Sequence, residues 1–303
     1  MATLMTRELR IQNAKNFVRS IASATSNRDY LYMFIGRNNP WNDSNGLGVD
    51  SNGVEIPTTP TDKLFGQELV TRDKIIGLKR VQETNVYPVV PRINWTTGVT
   101  YAAYSNNNVN LYTTNFYVMN STYDVYKCIT AGGGVSTVEP TGTSTSNLGP
   151  LSDGYIWKYL YTVPTGAALD FLTTDWLPVP YPAVGTLGGA VEQIDVEAAA
   201  SYASGQPILG HGSSALHELG AYYLMISLSF AGNEGIGLPT SDDFRQVGLI
   251  ANPILSGGSA ATGTVYLASS INTLKGRVLY VENRAPIVRS TTQTENIKIV
   301  LEF

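Results

Sequence analysis

Residues 153–164, DGYIWKYLYTVP, show the texture that decides the fold. Aromatic and β-branched side chains dominate the run between Gly154 and Pro164, and such residues favour β-strands over helices. Glycine before the run and proline after it are turn signals, so the strand is bounded on both sides. The sequence therefore predicts a short strand at 155–163.

The same texture recurs on both sides of this stretch, between clusters of glycine, proline and asparagine. Further strands are predicted at 30–35, 86–90, 123–130, 222–230, 247–250, 264–268, 278–281 and 296–303. Many short strands with frequent turn signals are typical of sandwiches and barrels. We expect the last of these strands to be paired in a sheet, because a free terminal strand is easily released.

One helix is predicted ahead of the strands. From Ile11 to Ala22 the apolar residues recur at the spacing of a single helix face. Thr6 is placed to cap the helix, and Asn27 lies where the helix should stop. The sequence thus predicts a mainly β fold, with β-sandwich-type subdomains and an N-terminal helix.

The chain of 303 residues is long enough for several subdomains. We expect residues 1–95 and 190–303 to build a framework and residues 96–189 to form a middle β subdomain. The stretch 132–149 is rich in Gly, Ser and Thr and is predicted to be an exposed loop or a flexible connection. The stretch 176–189 contains three prolines and three glycines. It is predicted to be an irregular crossing between subdomains.

Composition limits the choice of partners. Charged residues make up 15% of the chain, against about 25% in ordinary globular proteins. This low charge, together with 18 tyrosines, suits lasting protein contacts; a stable β protein with a neutral surface explains it equally well. The 20 basic residues are scattered and the net charge is −4, so no nucleic-acid partner is expected. The most apolar window, 221–231, is too short for a membrane span.

The residues that carry chemistry are few and badly spaced for it. His211 and His217 are six positions apart rather than the four that a zinc-binding helix needs. Cys128 is the single cysteine, lacks a neighbouring base and fits a chain folded in a reducing compartment. No phosphate-binding Lys follows the triplet Gly132–Gly134. We therefore expect no catalytic residue, no metal, no cofactor and no small-molecule substrate.

A pair of carboxylates remains as an open alternative. Glycoside cleavage needs only two carboxyl groups held a few ångström apart, and spacing along a β chain does not reveal such a pair. The acids considered for this role are Asp153, Asp170, Asp175 and Glu282.

Seven blocks of sequence, in order along the chain, resemble the baseplate wedge proteins of T-even-type contractile phage tails, the gene product eight family. The blocks are 30–41 (YLYMFIGRNNPW), 87–95 (YPVVPRINW), 123–130 (YDVYKCIT), 153–164, 176–182 (WLPVPYP), 244–253 (FRQVGLIANP) and 279–303. Residues 106–117 and 190–243 show no correspondence to the family. Contacts made by those two stretches are therefore not predicted.

The resemblance implies a multi-subdomain β protein that forms a homodimer and has no catalytic site. It implies a structural component of the baseplate wedge that holds neighbouring wedge proteins together, assembled in the host cytoplasm and located in the tail baseplate of the virion. The alternative is a carbohydrate- or receptor-binding β module of a phage tail, whose tyrosines and tryptophans would stack on sugars.

Arginines and tryptophans inside these blocks are the candidate structural or interface residues. Arginine can donate forked hydrogen bonds to carboxylates and carbonyl oxygens, and tryptophan combines a large apolar surface with one N–H group. Each arginine could instead cap a turn within its own subunit. The candidates are Arg37, Trp41, Arg92, Trp95, Trp157, Arg245 and Arg284.

Overall fold

The computed structural model describes residues 5–24, 30–41, 48–60, 70–105, 107–144, 146–164, 167, 170–180, 219–231, 234, 243–255, 262–271, 276–288 and 292–303. The predictions at Asn27, His211, His217 and residues 190–218 lie outside these ranges. The helix is α1 (Arg7–Ala22). The strands are β1 (Leu31–Gly36), β2 (Ile75–Arg80), β3 (Val86–Pro91), β4 (Tyr117–Met119), β5 (Asp124–Thr130), β6 (Ile156–Thr162), β7 (Trp176–Pro178), β8 (Tyr223–Ala231), β9 (Phe244–Ala251), β10 (Val265–Leu267), β11 (Arg277–Ile287) and β12 (Thr294–Glu302). The predicted mainly β fold with an N-terminal helix is confirmed.

Helix α1 forms for the reasons that its sequence gives. Thr6 Oγ1 accepts a hydrogen bond from the Leu9 N–H at 3.3 Å, which satisfies one of the amide groups left open at a helix start. Ile11 and Val18, two turns apart on the apolar face, are each only 1% exposed. The helix is therefore held by one buried face.

Three strands were not predicted from the sequence. β2 carries lysine and arginine at its end, and β4 and β7 are only three residues long. β7 occupies the start of the stretch predicted to be irregular, where Trp176 pairs with Pro91. A three-residue strand contains too little alternation to be read from sequence, because its pairing partner decides its conformation.

The described chain divides into two compact units. Unit 1 comprises Met1–Lys15, Tyr87–Leu224 and Leu301–Phe303, and unit 2 comprises Asn16–Val86 and Met225–Val300. Both units draw on distant parts of the sequence. The framework and middle subdomain of the sequence analysis stay a prediction.

Unit 2 contains an antiparallel sheet in the order β10-β2-β1-β9-β11. Every residue of β1 is buried, as expected for the central strand. Gly248 of β9 is a glycine by necessity: a Cβ there would lie 2.3 Å from Tyr280 O and 2.4 Å from the Phe34 ring. β12 lies beside β8, with Ile299 1% exposed, so the predicted pairing of the last strand is confirmed.

Unit 1 contains the antiparallel sheet β4-β5-β6 and the antiparallel pair of β3 with β7. One of its cores is aromatic. The Trp157 ring stacks on Tyr155 with centroids 5.6 Å apart and meets Tyr101 edge-on at 5.4 Å. Cys128 lies in the same buried cluster. Aromatic side chains bury a large area at a small cost in side-chain entropy, which suits a compact core between short strands.

Candidate functional site

An arginine–carboxylate pair in unit 2 joins strand β9 to the segment around Glu55. Arg245, near the start of β9, donates from Nε to Glu55 Oε2 at 2.6 Å and from Nη2 to Oε1 at 2.8 Å. Arg245 Nη1 also donates to Asn38 O at 2.9 Å. The Arg245 side chain is 5% exposed and that of Glu55 19%. A two-pronged, largely buried ion pair of this kind fixes position and orientation together.

Trp41 connects this pair to a second arginine. Its backbone N–H donates to Glu55 Oε2 at 3.2 Å, and its indole Nε1 donates to Arg284 O at 2.9 Å. The Arg37 guanidinium lies 4.0 Å from the Trp41 ring centroid. Arg37 has φ of 55°, a left-handed conformation that costs a bulky side chain about 1–2 kcal/mol. We call Arg37, Trp41, Glu55 and Arg245 the Glu55 cluster.

Electrostatics in the Glu55 cluster favour the ionised pair. The hydrogen bond from Arg245 lowers the pKa of Glu55 despite partial burial, which acts in the opposite direction. The same hydrogen bond raises the pKa of Arg245. Arg284 beside the cluster has its own carboxylate: its Nε and Nη2 donate to Glu282 at 2.7 and 2.9 Å. Four of the seven predicted residues, Arg37, Trp41, Arg245 and Arg284, therefore lie together.

The other three candidates lie in unit 1 and are not brought together. Arg92, directly after β3, donates to the carbonyl oxygens of Phe171 and Leu172 at 3.2 and 2.9 Å. These bonds hold the segment that precedes β7 against the end of β3. Trp95 Nε1 donates to Ser136 Oγ at 3.1 Å. Trp157 is fully buried.

Asp153 organises a second irregular segment, in unit 1. Its Oδ2 accepts from the backbone N–H groups of Thr137 and Val138 at 2.9 and 3.0 Å, and from Ser136 Oγ at 3.1 Å. Its Oδ1 accepts from the Tyr155 N–H at 3.2 Å. Burial works against ionisation, but these hydrogen bonds outweigh it and lower the pKa of Asp153. Asp153 was a candidate for a catalytic pair, yet its oxygens are occupied in holding the loop.

The loop 132–149 is exposed along most of its length and is tied at several points. Tyr155 Oη donates to Gly134 O at 2.6 Å, Tyr126 Oη to Gly142 O at 2.9 Å and Asn120 Nδ2 to Pro140 O at 3.0 Å. Gly132 packs so closely that a Cβ would lie 2.2 Å from Asp153 O. Close packing thus requires glycine at position 132, whereas a Cβ at Gly133 or Gly134 would have no atom within 4 Å.

The remaining chemistry of the described residues is sparse. Burial raises the pKa of the Cys128 thiol to about 12, so it behaves as a small buried apolar side chain. Within the described ranges, no group of three or more His, Cys, Asp or Glu side chains is arranged to hold a metal ion. None of the described helices is long and apolar enough to cross a membrane.

Sequence reasoning missed Glu55. The available signal was the turn at Asp50, whose Oδ1 accepts from the N–H groups of Asn52 and Val54 at 2.9 and 2.8 Å. That turn folds the chain back so that Val49 pairs with Glu55. The partner of Glu55 lies 190 positions away, which no local pattern reveals.

Comparison with known proteins gives one family over the whole length. The family model described as "Bacteriophage T4, Gp8" (Phage-Gp8) matches residues 3–134 and 129–303. The baseplate wedge protein gp8 of Enterobacteria phage T4 is 22% identical over an alignment 343 positions long, which covers 99% of this chain and 97% of that protein.

Proposed function

We propose, from the premise that this chain belongs to the bacteriophage T4 Gp8 family, that it is a structural component of the baseplate wedge of a contractile phage tail. The observation that carries the proposal is the extent of the match, which leaves almost nothing of either chain unaligned. A shared fold alone would not assign a role, but a match that covers 99% of this chain and 97% of the relative supports the same place in the virion, the tail baseplate.

The finer proposal is that the protein holds neighbouring wedge proteins together and associates with itself as a homodimer. Isolated large apolar side chains lie exposed, Val109 at 95%, Val288 at 68% and Val54 at 60%. Single exposed apolar side chains of this kind are ordinary on protein surfaces, so the dimer rests on the resemblance to the baseplate wedge family, and a two-fold dimer would place the same patch of both copies face to face. The Glu55 cluster fits a structural role because its hydrogen bonds hold irregular segments of unit 2 in place.

We also propose that the protein is not an enzyme. Asp153 holds backbone N–H groups, and Glu282 holds Arg284. Two of the four acids considered for a catalytic pair are therefore occupied in structural contacts. A general acid or base needs access to a substrate proton, which these contacts restrict.

The test is reconstitution from purified components. The full chain is mixed with each of the other baseplate wedge proteins of the same phage, and the mass of every complex is measured by sedimentation. We expect the chain alone to sediment as a dimer and to form a defined complex with at least one wedge protein. A chain that stays monomeric at micromolar concentration contradicts the dimer, and a chain that binds none of the wedge proteins contradicts the structural role.

The alternative, a carbohydrate- or receptor-binding module, finds less support. Trp41 is 3% exposed and Trp157 is fully buried, so neither ring can stack on a sugar. A glycan array separates the two functions: hits with the intact chain support the binding module, and a blank array supports the wedge component.

A further inference from the structure

Unit 1 contains a groove whose lining includes a half-buried arginine, Arg7. The groove has a volume of about 320 Å³ and is lined in part by Arg7, Pro91, Ile93, Tyr112, Asn115 and Tyr222. This volume lies near the lower end of the roughly 300–1,000 Å³ found for ligand clefts. Arg7 is the charged residue of the lining. The groove therefore has the size for a short peptide segment and a single positive charge.

Arg7 is held in place by aromatic rings. Its guanidinium carbon lies 3.9 Å from the Tyr112 ring centroid and 4.8 Å from that of Tyr222. One Nη donates to Gly220 O at a long 3.4 Å. Among the residues that the structure describes, no carboxylate pairs with Arg7. A guanidinium that lies over an aromatic ring can still donate from its N–H groups, and its fork suits a carboxylate that accepts two hydrogen bonds.

Arg10, one turn along α1, provides the contrast. Its guanidinium carbon lies 5.2 Å from the same Tyr222 ring. Unlike Arg7, Arg10 has a carboxylate of its own, with Nη1 at 3.0 Å from Glu302 Oε1. Arg10 also lies outside the groove lining. Two arginines thus share one tyrosine, and Arg7 inside the groove has no acidic partner among the residues that the structure describes.

We propose that this groove binds an extended segment of a neighbouring wedge protein, with an Asp or Glu side chain on Arg7 and an apolar side chain against Ile93 and Tyr112. The inference rests on the proposed function and names the chemistry of one contact. The positive charge selects an acidic residue, and the small volume selects an extended segment rather than a packed domain. Thr113 and Asn115 in the lining are exposed residues, and their side chains offer hydrogen-bonding oxygens and an amide N–H₂ to such a segment.

The test uses overlapping synthetic peptides that tile the sequences of the other wedge proteins, each labelled and titrated with the intact chain by fluorescence anisotropy. We expect the binding peptides to contain Asp or Glu, and replacing that residue by its amide to weaken binding about tenfold, as for a charge-assisted hydrogen bond. Arg7→Gln should weaken the acidic peptide equally. Combining the two changes should cost no more than either alone, because both remove the same interaction.

Arg10→Gln is the matched control, since it touches the same tyrosine from outside the groove. It should change the dissociation constant by less than about twofold, in line with an exposed ion pair. Asn115→Trp, at an exposed position of the lining, should block the peptide while leaving Arg7 in place. Circular dichroism confirms that each variant is folded.

Three results would overturn the proposal: no peptide binds, acidic and amide peptides bind equally, or Arg10→Gln weakens binding as much as Arg7→Gln. Binding of the intact wedge proteins distinguishes failure of the groove proposal from failure of the proposed structural role. If they bind the Arg7→Gln chain as tightly as the unaltered chain, the groove proposal is wrong and the structural role stands. If they bind neither chain, the structural role itself is wrong.

Discussion

Glu55 in unit 2 and Asp153 in unit 1 perform the same task with different partners. Each carboxylate gathers an irregular segment by accepting several hydrogen bonds, and each has a lowered pKa. Glu55 takes two of its bonds from the guanidinium of Arg245. Asp153 takes three of its bonds from backbone N–H groups and one from a serine hydroxyl.

The difference shows two ways to fix a loop in a protein that has few charges. A backbone N–H is present at every residue except proline, so the Asp153 arrangement depends on the path of the chain more than on its side chains. The Glu55 arrangement depends on a particular side chain from a distant strand. We therefore expect the first to be sensitive to backbone shape and the second to side-chain identity.

Removing the arginine should have the largest effect. Arg245→Gln leaves the largely buried carboxylate of Glu55 without its charged partner, and we expect a loss of about 2–3 kcal/mol in the free energy of unfolding. Urea denaturation followed by tryptophan fluorescence measures this loss. Arg245→Lys keeps the positive charge but not the two-pronged hydrogen bond, so its free energy of unfolding should lie between those of Arg245→Gln and the unaltered chain. Equal stability of Arg245→Gln and the unaltered chain would show that the ion pair does not hold the segment.

Changing the backbone shape beside Asp153 should come next. Gly132→Ala places a methyl group against Asp153 O and the Tyr155 ring, and overpacking of this kind costs about 1–3 kcal/mol. Gly134→Ala is the matched control, because a Cβ there has no atom within 4 Å. The two melting temperatures should differ clearly. If both variants melt alike, close packing at Gly132 does not set the loop conformation.

Acid should weaken both arrangements by a smaller amount. Folding lowers the pKa of each carboxyl group. The stability that each group contributes is therefore fully present above the pKa of about 4 that it has in the unfolded chain, and it is lost as pH falls through the lower pKa of the folded chain. Urea midpoints recorded from about pH 7 to about pH 3 should therefore fall less steeply in Glu55→Gln and Asp153→Asn than in the unaltered chain. Parallel profiles would mean that neither carboxyl is responsible for the acid sensitivity.

The smallest effect sets the baseline for a charge pair in water. Arg10 and Glu302 are 36% and 55% exposed, and exposed pairs contribute at most about 1 kcal/mol. We expect Glu302→Gln to lower the free energy of unfolding by less than about 0.5 kcal/mol in the same urea experiment, and added salt to erase the difference. A loss as large as that of Arg245→Gln would remove the distinction between buried and exposed pairs.

Much of the fold was predictable because its signals are local. The α1 face and the strands at 123–130 and 155–163 carry apolar spacing and turn residues within a few positions. β4 and β7 were missed because three residues leave no period to detect, and their partners decide their conformation.

The candidate residues were predictable in part. Arg37, Trp41, Arg245 and Arg284 were selected by residue type and lie together. Glu55 was not selected, because its partner Arg245 lies 190 positions away on β9 and no local pattern connects the two. Asp153 was selected for a different reason, and its loop partners Thr137 and Val138 reveal themselves only in the fold.

The contact of Arg10 with Glu302 bears on how the protein is made. The two residues are 292 positions apart and both belong to unit 1. Ribosomes add about 5–20 residues per second, so the start of α1 emerges some tens of seconds before Glu302 exists. Unit 1 therefore cannot be completed until residues 301–303 have been made.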